Sequence, residues 1–175
     1  TNSMVHTFDE KSLFYEEPRI IIPLIYKNKL VGYQGRSIRP SKIKYITIML
    51  DDTAPKIYGL DSIDENKTIF VTEGPFDSEF LPNSIAMCGS DVSLDSFSFN
   101  DFVFIFDNEP RNREICNRMY KLIEKGNKLV IWPNGINQKD INDMVLSGIN
   151  VEDVVKSNIY AGLEAKLKFT TWKRI

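Results

Sequence analysis

The chain has 175 residues, of which 42% are hydrophobic and 26% are charged, and its formal net charge is −2. This length allows one domain, or one domain with a small appended unit, and the composition is typical of a globular protein. No apolar run approaches the roughly 20 residues of a membrane-spanning helix, and no secretory signal is apparent. We expect a cytoplasmic protein in which Cys88 and Cys116 are reduced packing residues.

The first part of the chain predicts a small, mainly antiparallel subdomain over residues 18–66, preceded by a polar lead segment over 1–17. Its strands are expected over 19–26, 30–38 and 43–50, with a tight turn at Lys27 and Asn28. Gly32 and Gly35 would allow twist or a close approach of two backbones.

This subdomain is strongly basic. Between residues 18 and 50 the sequence contains no acidic residue and these seven basic ones: Arg19, Lys27, Lys29, Arg36, Arg39, Lys42 and Lys44. A basic surface suits a phosphate backbone. The alternative, that the charges only keep the sheet solvated, stays open at this point.

The next part, over residues 67–147, alternates strands and helices, which predicts a parallel sheet flanked by helices. Strands are expected over 68–72, 85–88, 102–106 and 128–132, and their continuous apolar runs are typical of strands covered on both faces. A short helix at most is expected over 78–81, and a clear amphipathic helix over 113–125. Residues 148–175 predict a helix over 151–157, capped by Asn150, and a tail that is a candidate edge strand over 169–175.

Acidic residues follow three of the predicted strands. They are Glu73, Asp77, Asp107, Glu109, Asp140 and Asp143. Because function collects at the carboxyl ends of parallel strands, we expect these side chains to converge. Carboxylates about 4 Å apart repel by about 4 kcal/mol at an effective dielectric near 20, so such a cluster takes up protons or binds cations. Oxygen ligands favour Mg²⁺, with Mn²⁺ as a substitute.

The order of these motifs along the chain resembles that of a known protein family. Glu-Gly-x-x-Asp at 73–77, Asp-x-acid at 107–109 and Lys-Asp-x-Asn-acid at 139–143 together resemble the topoisomerase–primase (Toprim) domain, and more narrowly DNA primases of the bacterial and tailed-phage type. The resemblance implies a Toprim-type α/β fold and DNA-templated synthesis of short RNA primers from ribonucleoside triphosphates. The implied partners are a single-stranded DNA template, the RNA–DNA primer duplex and a replicative helicase.

The resemblance also implies roles for the acidic residues. Glu73 matches the general acid/base, and Asp107 and Glu109 match the paired metal ligands, so these three are the candidate catalytic residues. Asp140 matches the first acid of the third motif and is a further candidate ligand. The supporting residues expected around them are Asp77, Asn142 and Asp143.

Basic residues match the nucleic-acid contacts of the same family. Arg36 lies in a segment similar to a glycine–glycine–arginine turn that helps to hold nucleic acid, and Lys56 lies in a segment similar to a second basic motif. With Arg39, they are candidate template-binding residues. Lys139, beside the third motif, is expected to meet the triphosphate.

The sequence departs from the family pattern in two motif positions. Glu109 stands where aspartate is commoner, and Asn142 stands where cellular primases have a second aspartate, which lowers the local charge. With two cysteines and one histidine the chain cannot build a four-ligand zinc site. We therefore interpret it as a fragment that lacks the upstream zinc module and the downstream helicase-binding domain of bacterial primases. The alternatives are a Toprim nuclease or topoisomerase fragment, and a non-catalytic DNA-binding Toprim module.

Overall fold

The computed structural model describes residues 17–89, 94, 97–99 and 101–175. The predicted lead segment, up to residue 16, lies outside the described residues. The chain divides into two compact units. The described part of the first is 17–61 with 88–89, and that of the second is 62–87 with the described residues from 94 onward.

The first unit contains the predicted antiparallel sheet. Strands β1 (Arg19–Tyr26), β2 (Lys29–Ser37) and β3 (Tyr45–Met49) lie in the order β1-β2-β3, with both pairs antiparallel. Lys27 and Asn28 form the expected turn, with φ values of 52° and 59°. Two positive φ values in a two-residue hairpin turn match the right-handed twist of the flanking strands. A short strand, β4 (Ile57–Tyr58), and a 3₁₀ turn at Leu60–Ser62 follow.

Gly32 is needed where β2 meets β3. A Cβ atom built at this residue would lie 2.7 Å from the Ile48 carbonyl oxygen and 2.8 Å from the Met49 Sδ, so the predicted close approach is confirmed. The core of this unit forms around Leu24, Val31 and Cys88. Burial raises the pKa of the Cys88 thiol to about 12, so this cysteine is a packing residue, as expected.

The second unit contains a mostly parallel sheet. Its strands are β5 (Ile69–Thr72), β6 (Ser84–Met87), β7 (Phe102–Phe104), β8 (Lys128–Val130) and β9 (Ile159–Tyr160). They lie in the order β6-β5-β7-β8-β9, parallel except for the β8–β9 pair. Every residue of β5 and β7 is buried, which confirms that these strands are covered on both faces.

The described residues of this unit form the helices α1 (Pro75–Ser78), α2 (Arg113–Glu124), α3 (Ile141–Leu146), α4 (Val151–Ser157) and α5 (Gly162–Trp172). The amphipathic helix over 113–125 and the helix over 151–157 are confirmed, the latter with the Asn150 side chain as its cap. None of the helices in the described parts of the chain is long and apolar enough to cross a membrane.

Two expectations about helices were wrong. The short helix begins at Pro75 rather than at residue 78, because proline is favoured at the first helical position. The tail is not an edge strand: most of it belongs to α5, which ends at Trp172. Its buried residues Ala165, Phe169 and Trp172 recur at helical spacing, and the Phe169 ring lies 6.5 Å from that of Tyr120 on α2.

Candidate active site

The carboxyl ends of β5 and β7 bring two predicted residues into direct contact. Glu73 follows β5 and Asp107 lies three residues beyond β7, and these strands pair in parallel. The Asp107 backbone N–H donates to Glu73 Oε2 at 3.1 Å. The turn after β5 is fixed by the buried Thr72 hydroxyl, which donates to the Gly74 carbonyl oxygen at 3.0 Å. The sequence-based expectation that these two strand ends converge is therefore supported by a specific hydrogen bond.

Glu73 has a second partner that the sequence did not reveal. Arg118 on α2 lies with Nη1 2.5 Å from Glu73 Oε1, and its guanidinium stacks over the Phe106 ring at 4.9 Å. A signal was present: Arg118 falls three residues after Ile115 and one before Met119, on the buried face of α2. A charged residue at a core-facing helical position indicates a buried partner.

Lys139 lies between the other two candidate ligands. Its Nζ is 3.6 Å from Asp107 Oδ2 and 3.6 Å from Glu109 Oε1. From the sequence, Lys139 was expected beside Asp140 and in contact with the triphosphate. That its ammonium is shared by the carboxylates of Asp107 and Glu109 was not predicted. We call Glu73, Asp107 and Glu109 the acidic cluster.

The surroundings of Asp107 disfavour the ionised form of its carboxyl group. Burial, together with the negative charges of Glu73 and Asp77, raises the pKa of Asp107 to about 7, although Lys139 acts against the shift. At Lys139, burial acts to lower the pKa, but the carboxylates of Glu109 and Asp107 outweigh it, so the pKa is raised overall. The Asp107 carboxyl group is thus short of positive charge, and a further cation would stabilise its ionised form.

Asn108 ties the loops around the acidic cluster together. Its side-chain amide donates to the carbonyl oxygens of Ile136 at 3.0 Å and Gln138 at 3.1 Å. Its Oδ1 accepts from the indole N–H of Trp172 at 3.1 Å, and its backbone N–H donates to the Lys139 carbonyl oxygen at 2.6 Å. Sequence reasoning treated Asn108 as a spacer in the middle motif, because its partners are far away in the chain.

The first acidic residue of the third motif caps a helix. Asp140 is the N-cap of α3, and its Oδ1 accepts from the Asp143 N–H at 2.8 Å. The Asn142 N–H donates to Asp77 Oδ1 at 3.1 Å, so Asp77 anchors α3 to the turn after β5. Asp140 and Asp77 both contribute negative charge at Asp107. Among the described residues, no three Asp, Glu, His or Cys side chains already stand close enough to enclose a metal ion.

The candidate template-binding residues all lie in the first unit. Arg36 on β2 donates from Nη1 to the Tyr45 hydroxyl at 2.7 Å and stacks on that ring at 5.4 Å. Arg39 is exposed, and Lys56 is half-buried. Arg19, counted among the basic residues, is structural: it is buried, pairs with Glu17, and donates to the backbone carbonyls of Gly35 and Ile43.

The fold has counterparts among solved primase structures. It matches the Escherichia coli primase catalytic core with a TM-score of 0.59 and 19% identity, covering 87% of this chain and 55% of that one. It matches the zinc-binding and RNA polymerase domains of the Aquifex aeolicus primase with a TM-score of 0.60 and 18% identity, covering 88% and 46%. A DnaG primase catalytic domain bound to single-stranded DNA gives a TM-score of 0.62 and 18% identity, covering 87% and 55%. The fold is therefore that of a bacterial-type primase catalytic core.

The sequence is also similar to a particular primase. It is 36% identical over 167 residues to the DNA primase of Enterobacteria phage T4, covering 91% of this chain and 48% of that protein. No protein-family sequence model matches the chain. This chain is thus homologous to the phage T4 DNA primase, and it spans about half the length of that relative.

Proposed function

We propose that this chain is the catalytic core of a DNA primase, which makes short RNA primers on single-stranded DNA from ribonucleoside triphosphates. The observation that carries the proposal is the contact between Glu73 and Asp107 at the carboxyl edge of the sheet, in a chain homologous to a DNA primase. Its partners would be the template, the RNA–DNA primer duplex and a replicative helicase.

A hard divalent cation at the acidic cluster is supported by the chemistry of its candidate ligands, which are all carboxylate oxygens. Asp107 and Glu109 already hold one cation, the Lys139 ammonium, between them. The raised pKa of Asp107, caused by burial and by the neighbouring carboxylates, supports a preference of this site for more positive charge. Glu73, Asp107 and Glu109 would hold Mg²⁺ or Mn²⁺, with Asp140 as a further ligand. When bound, the ion would stabilise the negative charge of the phosphoryl-transfer transition state.

The other residues of the site would bind and orient the reactants. Glu73, held by Arg118 and by the Asp107 amide, would move the proton of the attacking hydroxyl. Lys139 would contact the triphosphate, since its side chain is half exposed and reaches solvent. The third motif would be held in place by hydrogen bonds that involve Asp77, Asn142 and Asp143.

The template would contact the basic first unit through Arg36, Arg39 and Lys56. Arginine suits phosphate because its planar group donates two hydrogen bonds at once. Lysine contributes a point charge. Contacts to the backbone rather than to the bases would allow the template to move by one base per step.

The proposal is tested by incubating the chain with single-stranded DNA, labelled ribonucleotides and Mg²⁺ or Mn²⁺. We expect short, alkali-sensitive products that are absent with Glu73→Gln. Shortened DNA instead would support a Toprim nuclease, and DNA binding without either product would support a non-catalytic module. Both results would overturn the proposal.

The metal assignment has its own test, which needs no catalysis. Calorimetric titration with Mn²⁺ should show weak binding to the unaltered chain and loss of that binding in the double variant Asp107→Asn plus Glu109→Gln. Both substitutions keep the side-chain shape and remove the negative charge. Equal binding by the two proteins would place the metal elsewhere.

A further inference from the structure

Lys139 and a divalent cation would need the same oxygen atoms. The Lys139 Nζ lies 3.6 Å from Asp107 Oδ2 and 3.6 Å from Glu109 Oε1. A Mg²⁺ ion binds carboxylate oxygens at about 2.0–2.1 Å, so an ion shared by Asp107 and Glu109 would lie close to the position of the ammonium. Both are positively charged, and the two cannot occupy that space together.

The Arg118 guanidinium and the Lys139 ammonium differ in how firmly their side chains are held. Arg118 is fixed by its contact with Glu73 and by stacking on Phe106, and its side chain is 27% exposed. Lys139 contacts Asp107 and Glu109 through an ammonium at the end of a flexible stem, and its side chain is 51% exposed. The backbone of Lys139 is held, since its carbonyl oxygen accepts from the Asn108 N–H at 2.6 Å. The side chain can therefore swing away from the acidic cluster while the loop stays in place.

We propose that Lys139 is an exchangeable counterion, which holds Asp107 and Glu109 until a divalent cation takes their oxygens, and whose released ammonium then binds the triphosphate of the incoming nucleotide. This inference rests on the proposed function. It explains how one lysine serves two stages of the reaction. The exchange also couples metal binding to nucleotide binding. Anything that moves Lys139 away from the carboxylates favours the metal, and by linkage the bound metal favours a triphosphate that can bind Lys139.

The first test is the affinity for Mn²⁺ without nucleotide. Lys139→Gln removes the competing charge, and we expect Mn²⁺ to bind about three- to tenfold more tightly, the scale of a partly exposed ion pair shared by two carboxylates. Lys139→Arg keeps a cation there and should not tighten binding. The matched control is Lys128→Gln, because Lys128 is also half exposed and pairs with Asp101, which precedes β7 and so lies at the opposite end of that strand.

The outcomes separate the inference from the function on which it rests. If all of these proteins bind Mn²⁺ with equal affinity, the exchange is overturned while the metal site stands. If Lys128→Gln tightens binding as much as Lys139→Gln, a general charge effect replaces the exchange. If none of them binds Mn²⁺, the proposed metal site itself is overturned, and the exchange with it.

The second test follows the lysine directly. Competitive acetylation with peptide mass spectrometry reports how reactive each amine is, and Lys128 again serves as the internal control. We expect Lys139 to be protected in EDTA, to become several-fold more reactive with saturating Mg²⁺, and to be protected again when a non-hydrolysable ribonucleoside triphosphate is added. Unchanged reactivity on adding Mg²⁺ would overturn the exchange. Persistent reactivity with Mg²⁺ and nucleotide would overturn the transfer of the ammonium to the triphosphate.

Discussion

At the scale of single residues, Glu73 is oriented by two donors that differ in kind. The Arg118 guanidinium holds Oε1, and the Asp107 amide holds Oε2. The pair is partly shielded from solvent, since the side chains of Arg118 and Glu73 are 27% and 23% exposed. A carboxylate with both oxygens fixed is well placed to take a proton from one direction, which is what general base catalysis requires.

The first prediction is that Glu73→Gln lowers primer synthesis by at least about a hundredfold, as for the loss of a general acid/base. Glutamine has almost the same shape but can neither carry the charge nor exchange the proton. Circular dichroism should be unchanged, and the melting temperature should fall only modestly, because the relief of repulsion at Asp107 offsets part of the lost ion pair with Arg118. Synthesis near the normal level would take Glu73 out of the catalytic role.

The second prediction concerns Asp107 and pH. Its folded pKa of about 7 exceeds the ordinary value of 3.8, so between these two pH values the folded protein keeps a proton that the unfolded chain has lost. The stability that this proton supplies is complete below about pH 4 and is lost as the pH rises towards 7. In EDTA, Asp107→Asn should therefore gain melting temperature relative to the unaltered chain as the pH rises from about 4 to about 7, and the difference should level off above that.

A residue at the other end of the same strand supplies the control for this pH experiment. Asp101 precedes β7, and hydrogen bonds from Lys128 and Thr68 lower its pKa. Its contribution to stability is present at neutral pH and is lost as the pH falls through the folded pKa. Because the folded pKa of Asp101 lies below the ordinary value of 3.8, Asp101→Asn should differ from the unaltered chain by a constant amount between about pH 4 and pH 7, and this difference should shrink only at lower pH. Parallel pH profiles for the two variants would contradict the assignment of a raised pKa to Asp107.

At the scale of elements, the loop after β7 depends on the Asn108 amide, which joins three segments of the chain. The third prediction is that Asn108→Asp destabilises the protein by about 1–3 kcal/mol, because two carbonyl oxygens lose their donor and face a carboxylate instead. Urea unfolding measures this change. Asn134→Asp is the matched control, since it makes the same chemical change at an exposed residue and should cost far less.

Strands were easier to predict from this sequence than helices. The strands of the second unit are short, continuous apolar runs, because a strand that is buried on both faces carries apolar side chains at successive positions. Helix α5 was missed because its buried stripe is narrow and Thr170, Thr171 and Trp172 favour a strand. Packing against α2 overrides that preference. Helix α3 was missed because its cap, Asp140, was interpreted only as a ligand.

The acidic half of the site was predictable and its basic half was not. Glu73 and Asp107 could be placed because each follows a strand of one parallel sheet, so topology alone brings them together. Arg118 comes from a helix, and its side chain reaches Glu73 only because α2 packs at a particular rotation over the sheet. Which carboxylates Lys139 contacts likewise depends on the path of a loop, which composition and periodicity do not determine.

At the scale of the whole molecule, charge is unevenly distributed along the chain. The residues from 61 to 114 include twelve acidic and three basic ones, whereas those from 18 to 50 include seven basic and no acidic ones. The structure reduces that basic set by one, since Arg19 is buried against Glu17 and backbone carbonyls. We propose that the other six basic residues of that stretch contribute to binding an anionic partner.

The last prediction tests that role. If Arg36 and Lys56 contact template phosphates, replacing both with alanine should weaken binding of a short single strand and make its salt dependence shallower. Each phosphate contact to single-stranded DNA contributes about 0.7 to the slope of log K against log salt concentration, so the slope should fall by about 1.4. Affinity should depend little on base sequence, since backbone contacts carry no sequence information.

Two controls make the result specific. Arg36→Lys keeps the charge and should keep most of the slope, although the contact with the Tyr45 hydroxyl is altered. Lys67→Ala plus Lys128→Ala removes two charges from exposed lysines of the second unit that pair with Asp64 and Asp101, and should leave the slope unchanged. Mn²⁺ binding should be the same in all of these proteins. Identical slopes for the unaltered chain and the Arg36/Lys56 double variant would mean that these two charges only solvate the first unit, and that the template follows another path.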